Sequence, residues 1–533
     1  MDYSEKKQDA ISSSSASYNG LSLSDKRALA KKLLSRKQTQ KRSAKYPLSF
    51  GQQALFFIHQ NDPTSAAYNE GFTFRIEGGV EADLLRKSFQ LLLDRHDALR
   101  TRFDFNNGTP FQESLKNKAL EFQLVQAENW SEDLLRQKVN TAFSRPFDLQ
   151  SGAVFRVHLF QISPTEAVVL VGMHHIVTDG WSMNLLMTEF LQYYNQLKKG
   201  TPVQGRITDK QYKDFVQAER RLLASAEGKA QETYWADQLQ NIPSLQELPI
   251  DKSRSKSSQR QAAYQLKRLN GRMLDRLKSM SKAQGTTLFA LMLAAFQSLL
   301  FRYNQQKESV VGIPAANRMD ADFQHVLGYL VNSLAVRVDI TQNNTFSDLL
   351  KNVAAKMMGC LENQAFPFAK VVERLGVAPD PSFNPVFQSF FYMRSKSEFD
   401  QFTELLIPGN TTARIDTDSL SLTYFEQPQK GNRFDLSMEW VEGEAELSGI
   451  IRYNSELFEA ATIERLCGHY EQILESILAD PEQKISDLNI WHKSEQQSIL
   501  NYAMGERVTF PVDQSIGSLF SQQALIHPDR PAL

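Results

Sequence analysis

The sequence has few cysteines, almost no net charge and no long apolar run. Cys360 and Cys467 are the only cysteines among 533 residues, too few for a disulfide framework or a cysteine metal site. This usage suits a reducing, cytoplasmic compartment. The net charge of −1 gives no reason to expect binding to nucleic acid or to an anionic membrane. The longest apolar stretch, residues 288–301, is too short to cross a bilayer and contains Gln297 and Ser298.

The remaining composition is that of an ordinary globular protein. Hydrophobic residues make up 41% of the chain and charged residues 23%. A chain of this length can bury more than one hydrophobic core, so we expect at least two structural units.

Residues 168–182 are the stretch around which the chain is organised. They begin with a continuous apolar run, which is typical of a strand buried on both faces. The run ends in His174 and His175, and Asp179 and Gly180 follow shortly after. Apolar residues at helical spacing then predict an amphipathic helix. The pattern therefore predicts a strand, a short polar loop and a helix, with His175 at the rim of a rigid core.

The chemistry of this loop depends on how the imidazole of His175 is held. A neutral imidazole can accept a proton or a hydrogen bond near pH 7. Asp179 could hold the ring directly, or it could fix the loop by pairing with an arginine elsewhere. Gly180 permits a tight turn and a close backbone approach to a ligand. The alternative interpretation is that the histidines cap a strand end and that Asp179 makes an ordinary turn bond.

The complete string of residues 174–182 is more specific than a histidine pair. It closely resembles the HHxxxDG core of the condensation domains of nonribosomal peptide synthetases. Six further segments resemble motifs of that family and occur in the family's order: residues 49–57, 95–103, 211–218, 328–337, 363–368 and 380–387. Departures are Ala218 in place of the usual Trp, and Pro379 and Phe383 in place of two arginines. The resemblance covers about residues 46–495.

The resemblance implies an α/β fold in which two chloramphenicol-acetyltransferase-like lobes form a V-shaped pseudo-dimer with a central tunnel. Residues 46–225 would form the N-terminal lobe and residues 226–495 the C-terminal lobe. Residues 1–45 would be a leader, either a solvated linker or a docking segment for an upstream protein. Residues 496–533 resemble a linker and the beginning of an adenylation domain.

The implied reaction is amide formation, an acyltransferase reaction. An upstream donor carrier domain, which could lie on a separate polypeptide or in a polyketide hybrid, presents an acyl or peptidyl thioester. A downstream acceptor carrier domain presents an aminoacyl thioester whose amine attacks the donor carbonyl. Both substrates arrive on the carriers' phosphopantetheine arms, so we expect no cofactor and no metal of the domain's own. The expected partners are these carriers and the adenylation domain, without nucleic acid or membrane, and the fragment itself is expected to be a monomer.

The resemblance also suggests roles for individual residues. His175 would hydrogen-bond the attacking amine or take its proton, and His174 would pack against or orient the loop. Asp179 would be structural, and the backbone around Gly180 could help to hold the reacting groups. Ser182 is an improbable nucleophile, because direct transfer between two thioester-bound partners needs no acyl-enzyme.

Supporting residues are expected on both sides of the loop. Arg95 or Arg100 would belong to an ionic scaffold that faces Asp179, and Trp181 and Ser182 would support the loop. Asn332 and Ser333 are candidate polar groups beside the tunnel, although Asn332 could simply form the turn before a strand. A non-catalytic recruitment domain of the same fold is the rival function, and the intact histidine motif favours catalysis.

Overall fold

The computed structural model describes residues 45–203, 210–243, 245–246, 248–254, 261–377, 380, 382–394, 402–427, 433–443, 446–504 and 511–531. Nearly all of the predicted leader lies outside the described residues, as does Pro379.

The described residues form fourteen α-helices, joined by short turns and 3₁₀ segments. They are α1 Phe50–Asn61, α2 Ala82–Arg95, α3 Glu132–Ser144, α4 Gly180–Lys198, α5 Tyr212–Leu223, α6 Ala226–Gln238, α7 Gly271–Ala283, α8 Leu288–Asn304, α9 Phe346–Glu362, α10 Phe368–Leu375, α11 Thr403–Leu406, α12 Ala460–Ala479, α13 Lys493–Met504 and α14 Ile516–Ile526.

The strands in the described ranges belong to two large sheets and one small one. They are β1 Tyr46–Pro47, β2 Asn69–Glu77, β3 Thr101–Asn106, β4 Thr109–Ser114, β5 Glu121–Gln126, β6 Phe155–Ser163, β7 Glu166–His174, β8 Ala262–Asn270, β9 Glu308–Ala315, β10 Asn332–Asp339, β11 Ser389–Arg394, β12 Arg414–Asp416, β13 Ser421–Tyr424, β14 Leu436–Glu442 and β15 Glu446–Asn454.

Two six-stranded mixed sheets organise the two halves of the chain. The first has the strand order β12-β13-β2-β7-β6-β5 and the second the order β10-β9-β11-β14-β15-β8. The three-stranded sheet β1-β4-β3 lies beside the first. Each large sheet pairs mostly antiparallel, with parallel pairing confined to β5 with β6 in the first and to β11 in the second. The α/β prediction is confirmed.

Strand β7 is buried on both faces, as its continuous apolar sequence predicts. Val169 and Val171 belong to the larger core of the first half. Val168 and Leu170 pack on the opposite face with Val139 of α3. The strand is therefore fixed from both sides, which makes its end at His174 a rigid point of attachment for the loop that follows.

The second core surrounds α8, which is apolar on nearly all sides. Twelve consecutive residues of this helix, from Ala290 to Phe301, are buried. Strands β14 and β15 of the same half pair antiparallel, with Met438 opposite Ile451. Thr345 and Asp348 form a capping box at the start of α9, in which each side chain accepts the other residue's backbone N–H.

The predicted division at residue 225 falls between α5, whose Phe215 lies in the first core, and α6, whose Trp235 lies in the second. That division does not account for two later segments that return to the first half. Strand β13 pairs with β2, and its Leu422 is buried in the first core. Leu330, just before β10, is buried there as well. The two halves are thus joined by chain crossings.

Among the described helices, none has by itself the length and apolar character of a membrane span. Helices α7 and α8 reach that length and apolar character only when taken together, and they are bent by 101° relative to each other.

Candidate functional site

The histidine loop connects the end of β7 to the start of α4. Residues His175–Val177 form one 3₁₀ turn, and Asp179 is the N-cap of α4. An aspartate suits this position because its carboxylate accepts a backbone N–H of the first helical turn, here that of Ser182 at 2.8 Å. From α1, the Gln52 side chain donates to the carbonyl of Ile176 at 3.0 Å. The loop is therefore fixed at several points along its length.

The imidazole of His175 is held in a single tautomer. Its Nδ1 lies 2.8 Å from the carbonyl oxygen of Thr178. A carbonyl oxygen can only accept, so Nδ1 carries the proton and Nε2 of the neutral ring keeps its lone pair. Within the described residues, Nε2 makes no hydrogen bond, and it is not one of the fully buried polar atoms that lack a partner. The loop thus presents a hydrogen-bond acceptor of fixed orientation.

Burial and a nearby cation keep this ring neutral. Burial, together with the charge of Arg433, lowers the pKa of His175 to about 3, although Glu70 and Asp179 oppose the change. Arg433 forms an ion pair with Glu70 of β2, and its guanidinium lies over the ring of Tyr68 at 5.4 Å. At neutral pH, His175 is therefore an uncharged acceptor.

Asp179 fixes the loop through an arginine from the second half of the chain. The guanidinium of Arg318 donates to both carboxylate oxygens, at 2.9 and 3.1 Å. The backbone N–H groups of Leu330 and Val331 donate to the same carboxylate at 3.0 and 3.1 Å. Burial raises the pKa of Asp179, but the charge and hydrogen bonds of Arg318, together with the hydrogen bond from Ser182, outweigh burial and hold the pKa below its ordinary value. Asp179 is an ionised anchor rather than a partner of the imidazole.

The prediction that Arg95 or Arg100 faces Asp179 is wrong. Arg95 pairs with Glu189 at 3.1 Å, and Glu189 lies ten residues further along α4, about 15 Å from Asp179 at 1.5 Å per residue. Arg100 pairs with Asp97, and it also donates to the hydroxyl of a neighbouring serine and to backbone carbonyls. Arg95 is paired with a carboxylate of α4, and Arg100 is bound by groups near the end of α2 and at the end of β4, so neither reaches the loop.

Trp181 and Ser182 join α4 to the segment that precedes β10. The Ser182 hydroxyl donates to the carbonyl of Gly328 at 2.9 Å and accepts from its N–H at 3.1 Å and from Arg318 at 2.9 Å. The indole of Trp181 donates to the carbonyl of Gln324 at 2.9 Å. Ser182 uses its donor inside the protein, which does not suit a nucleophile.

Asn332 does not present a free polar group, contrary to the expectation for a residue beside the tunnel. Its amide nitrogen donates to the carbonyls of Gln364 and Phe366 at 2.8 and 2.7 Å, and its oxygen accepts from the N–H of Phe368 at 2.9 Å. This side chain fastens the turn before α10 to β10. Ser333 is half-buried on the same strand.

His174 and Gly180 lie on either side of the turn and differ in environment. The His174 ring is buried, its Nδ1 accepts the N–H of Ile176 at 3.1 Å, and it contacts His59 edge-on at 5.5 Å between ring centroids. It therefore orients the loop. Gly180 is exposed, and a Cβ built there would meet nothing within 4 Å. The backbone beside the helix N-terminus is open to an approaching molecule.

Sequence reasoning missed four residues of this site: Arg318, Arg433, Glu70 and Tyr329. Arg318 follows β9 closely in the sequence, but no local pattern connects it to Asp179. The part of the chain that the structure describes contains no group of three or more His, Cys, Asp or Glu side chains that could hold a metal ion.

Comparison with known proteins identifies the family. The family model described as "Condensation domain" matches residues 42–500. Bacitracin synthase 3 of Bacillus licheniformis is 31% identical over 488 residues, which are 92% of this chain but 7% of that protein. The chain thus spans only a small part of the curated relatives that it matches.

Solved structures agree with this assignment at the level of the fold. A four-domain nonribosomal peptide synthetase bound to AMP and glycine superposes with a TM-score of 0.81 at 23% identity, over 91% of this chain and 37% of that one. The first condensation domain of the calcium-dependent antibiotic synthetase gives a TM-score of 0.69 at 18% identity, over 85% of this chain and all of that one. The predicted two-lobe fold is confirmed, and the chain belongs to the condensation-domain family of nonribosomal peptide synthetases.

Proposed function

We propose that this domain catalyses amide formation between two thioester-bound substrates. The donor is an acyl or peptidyl group on an upstream carrier, which could lie on a separate polypeptide, and the acceptor is an amino acid on a downstream carrier. Both are presented on phosphopantetheine arms. The observation that carries the proposal is the fixed tautomer of His175, whose bare Nε2 can accept a hydrogen bond from an amine.

The reaction needs no covalent intermediate with the protein. The amine nitrogen attacks the thioester carbon, a C–N bond forms, and the carbonyl electron pair moves to oxygen. Collapse of this tetrahedral species breaks the C–S bond, and the proton lost by the amine leaves with the sulfur as a thiol. The engagement of Ser182 with Gly328 and Arg318 fits direct transfer.

We assign His175 an orienting role. A pKa lowered from 6.5 to about 3 means that charging the ring costs about 5 kcal/mol more than in water. An α-amine has a pKa near ~8, so about a tenth of it is already neutral at pH 7. The ring is therefore better suited to aligning a neutral amine for attack than to storing its proton. Asp179 and Arg318 contribute by holding the loop in place, and the open backbone at Gly180 leaves room for the reacting groups.

Transfer between two loaded carrier domains tests the proposal. One carrier would hold an acyl donor and the other an amino acid, and intact-protein mass spectrometry would follow transfer for the wild type and for His175→Ala. His492→Ala, at an exposed histidine outside the loop, is the matched control. We expect transfer by the wild type and the control, and little by His175→Ala.

The other outcomes separate the alternatives. Equal transfer by His175→Ala would leave the reaction standing and overturn the role of His175. No transfer by any variant, with several donors tried, would favour the recruitment domain. The pH profile decides between orientation and proton storage, since orientation predicts a rate that rises with the amine towards pH 8. A fall in rate below about pH 6.5 that is absent in His175→Ala would show that the pKa of His175 is not lowered, and would remove the argument for orientation over proton storage.

The flanking segments complete the proposal. We assign residues 1–45 to a linker or docking segment and residues 496–533 to a linker and the beginning of an adenylation domain in the same chain. Helix α14 supports the second assignment. Its apolar residues Ile516, Phe520 and Leu525 are exposed, as expected of a helix whose apolar side packs on another structural unit. We also place the protein in the cytoplasm, in keeping with the free thiols of Cys360 and Cys467.

A further inference from the structure

Tyr329 lies directly against the ring of His175. The two ring centroids are 4.8 Å apart and the planes meet at 81°, so the contact is edge-on. In the part of the chain that the structure describes, the Tyr329 hydroxyl makes no hydrogen bond, and it is not one of the fully buried polar atoms that lack a partner. Tyr329 is thus a half-buried phenol whose hydroxyl is unused and lies beside the proposed orienting histidine.

The backbone of Tyr329 is fixed on both sides. The Tyr212 hydroxyl donates to the carbonyl of Tyr329 at 2.7 Å and lies 2.8 Å from the hydroxyl of Ser49. The next two N–H groups along the chain, those of Leu330 and Val331, are bound by Asp179. The anchor that fixes the histidine loop therefore also fixes the residue that carries the phenol.

The ring itself is confined by helix α1. A Cβ built on Gly51 of α1 would lie 2.7 Å from Cε1 of Tyr329, closer than real contacts allow. Glycine at this position leaves the space that the tyrosine ring fills. The ring is thus held between α1 and His175, and the direction of its hydroxyl is set before any substrate arrives.

We propose that Tyr329 is a further catalytic residue, whose hydroxyl donates a hydrogen bond to the carbonyl oxygen of the donor thioester. This inference rests on the proposed amide-forming function. As the amine attacks, the C–N bond forms and negative charge develops on that oxygen, where a donor of fixed direction is most effective. The bond is released when the C–S bond breaks and the carbonyl is restored, so the phenol keeps its own proton throughout.

Two further observations support the assignment. Ser182 and Asn332 commit their donors to carbonyl groups of the chain, so neither can serve the substrate. Burial raises the pKa of Tyr329, although the charge of Arg433 opposes the change, so the phenol stays protonated and remains a donor at working pH.

Tyr329→Phe tests the proposal because it removes one oxygen and keeps the ring. Loss of a single donor of this kind typically costs about 10² to 10³ in rate, so we expect single-turnover transfer to fall about 100-fold at saturating carrier. The concentration of acceptor carrier needed for half-maximal rate and the thermal midpoint should be unchanged. Tyr264→Phe, the same change on an exposed strand residue, is the matched control and should transfer like the wild type.

The result for the wild type separates the two proposals. If the wild type transfers and Tyr329→Phe transfers equally fast, this inference is overturned while amide formation stands. If the wild type fails to transfer with all donors tried, the proposed function itself is overturned, and this inference with it.

A double-mutant cycle distinguishes the hydroxyl from the ring. Gly51→Ala should displace the ring and slow transfer in the wild-type background. In the Tyr329→Phe background it should cost much less, because no hydroxyl is left to misplace. An equal cost in both backgrounds would show that only packing matters and would overturn a catalytic role for the hydroxyl.

Discussion

Arg318→Met would leave Asp179 buried without its cation. The carboxylate now accepts two hydrogen bonds from Arg318 and three from backbone N–H groups, those of Ser182, Leu330 and Val331. Breaking a buried pair by removing one partner costs about 3–5 kcal/mol, mostly because a charge remains buried alone. The three backbone donors remain, so we expect a loss of about 3 kcal/mol at neutral pH.

The pH dependence of this loss follows from the pKa of Asp179. In the wild type the folded pKa lies below the unfolded value, so the ionised carboxylate contributes stability above about pH 4, and this is lost as the pH falls through the folded pKa. Without Arg318, burial dominates and the folded pKa rises above the unfolded value. The variant then loses stability as the pH increases. The difference in the free energy of unfolding between the wild type and Arg318→Met should therefore be larger at pH 8 than at pH 5.

Chemical denaturation at both pH values, followed by circular dichroism, measures the deficit. The variants are Arg318→Met, Asp179→Asn and the double variant, and the double variant should recover at least half of the loss because no charge is left buried. Equal deficits at pH 5 and pH 8, together with no recovery in the double variant, would refute the assignment of Arg318 as the counter-charge of Asp179.

Three further substitutions test separate parts of the structure. Gly180→Ala should leave the thermal midpoint unchanged, because the added Cβ meets nothing within 4 Å. It should slow carrier-to-carrier transfer if the substrate approaches this backbone. Unchanged transfer would show that the substrate does not come close to Gly180. Among the described residues, Phe50 alone donates a hydrogen bond to the Glu219 carboxylate, and burial raises the pKa of Glu219 to about 7. Because this folded pKa lies above the unfolded value, wild-type stability should fall by about 3 kcal/mol as pH rises from about 4.5 through 7, and Glu219→Gln should remove that dependence in denaturation experiments; a persistent dependence would point to another group. Asn332→Ala removes three hydrogen bonds and should destabilise the fold by about 3 kcal/mol in the same assay, whereas a loss of transfer with full stability would restore Asn332 as a substrate contact.

Elements with a strong local pattern could be predicted from the sequence. Strand β7 is buried on both faces and helix α8 on nearly all sides, so each has an almost unbroken apolar sequence that could be recognised. The cap of α9 follows from the spacing of Thr345 and Asp348 alone. Strands β12 and β13 have three and four residues, too few for a period to show, and β2, with which β13 pairs, is more than 300 residues away.

The partners of the site residues could not be predicted in the same way. Arg318 is 139 residues from Asp179, so no spacing rule connects them. Arg95 and Arg100 lie in a motif and were natural candidates, but each has an acidic residue within reach on its own side of the fold. An arginine pairs with the carboxylate that the fold brings near it, and that choice is made by tertiary packing. The same reason explains why Asn332, recognised as a motif residue, serves the turn before α10.

The site is a joint product of the two halves of the chain. The first half supplies the histidine turn, Asp179 and Glu70, and the second supplies Arg318, Arg433 and the backbone donors that precede β10. A strand of the second half, β13, also extends the sheet that carries β7. The first half alone would keep the whole motif in its sequence but would lack the counter-charge of Asp179 and the cation that, after burial, lowers the pKa of His175. The Thr178 carbonyl inside the motif orients the His175 ring, but the contacts that anchor Asp179 exist only where the chain crosses between the halves.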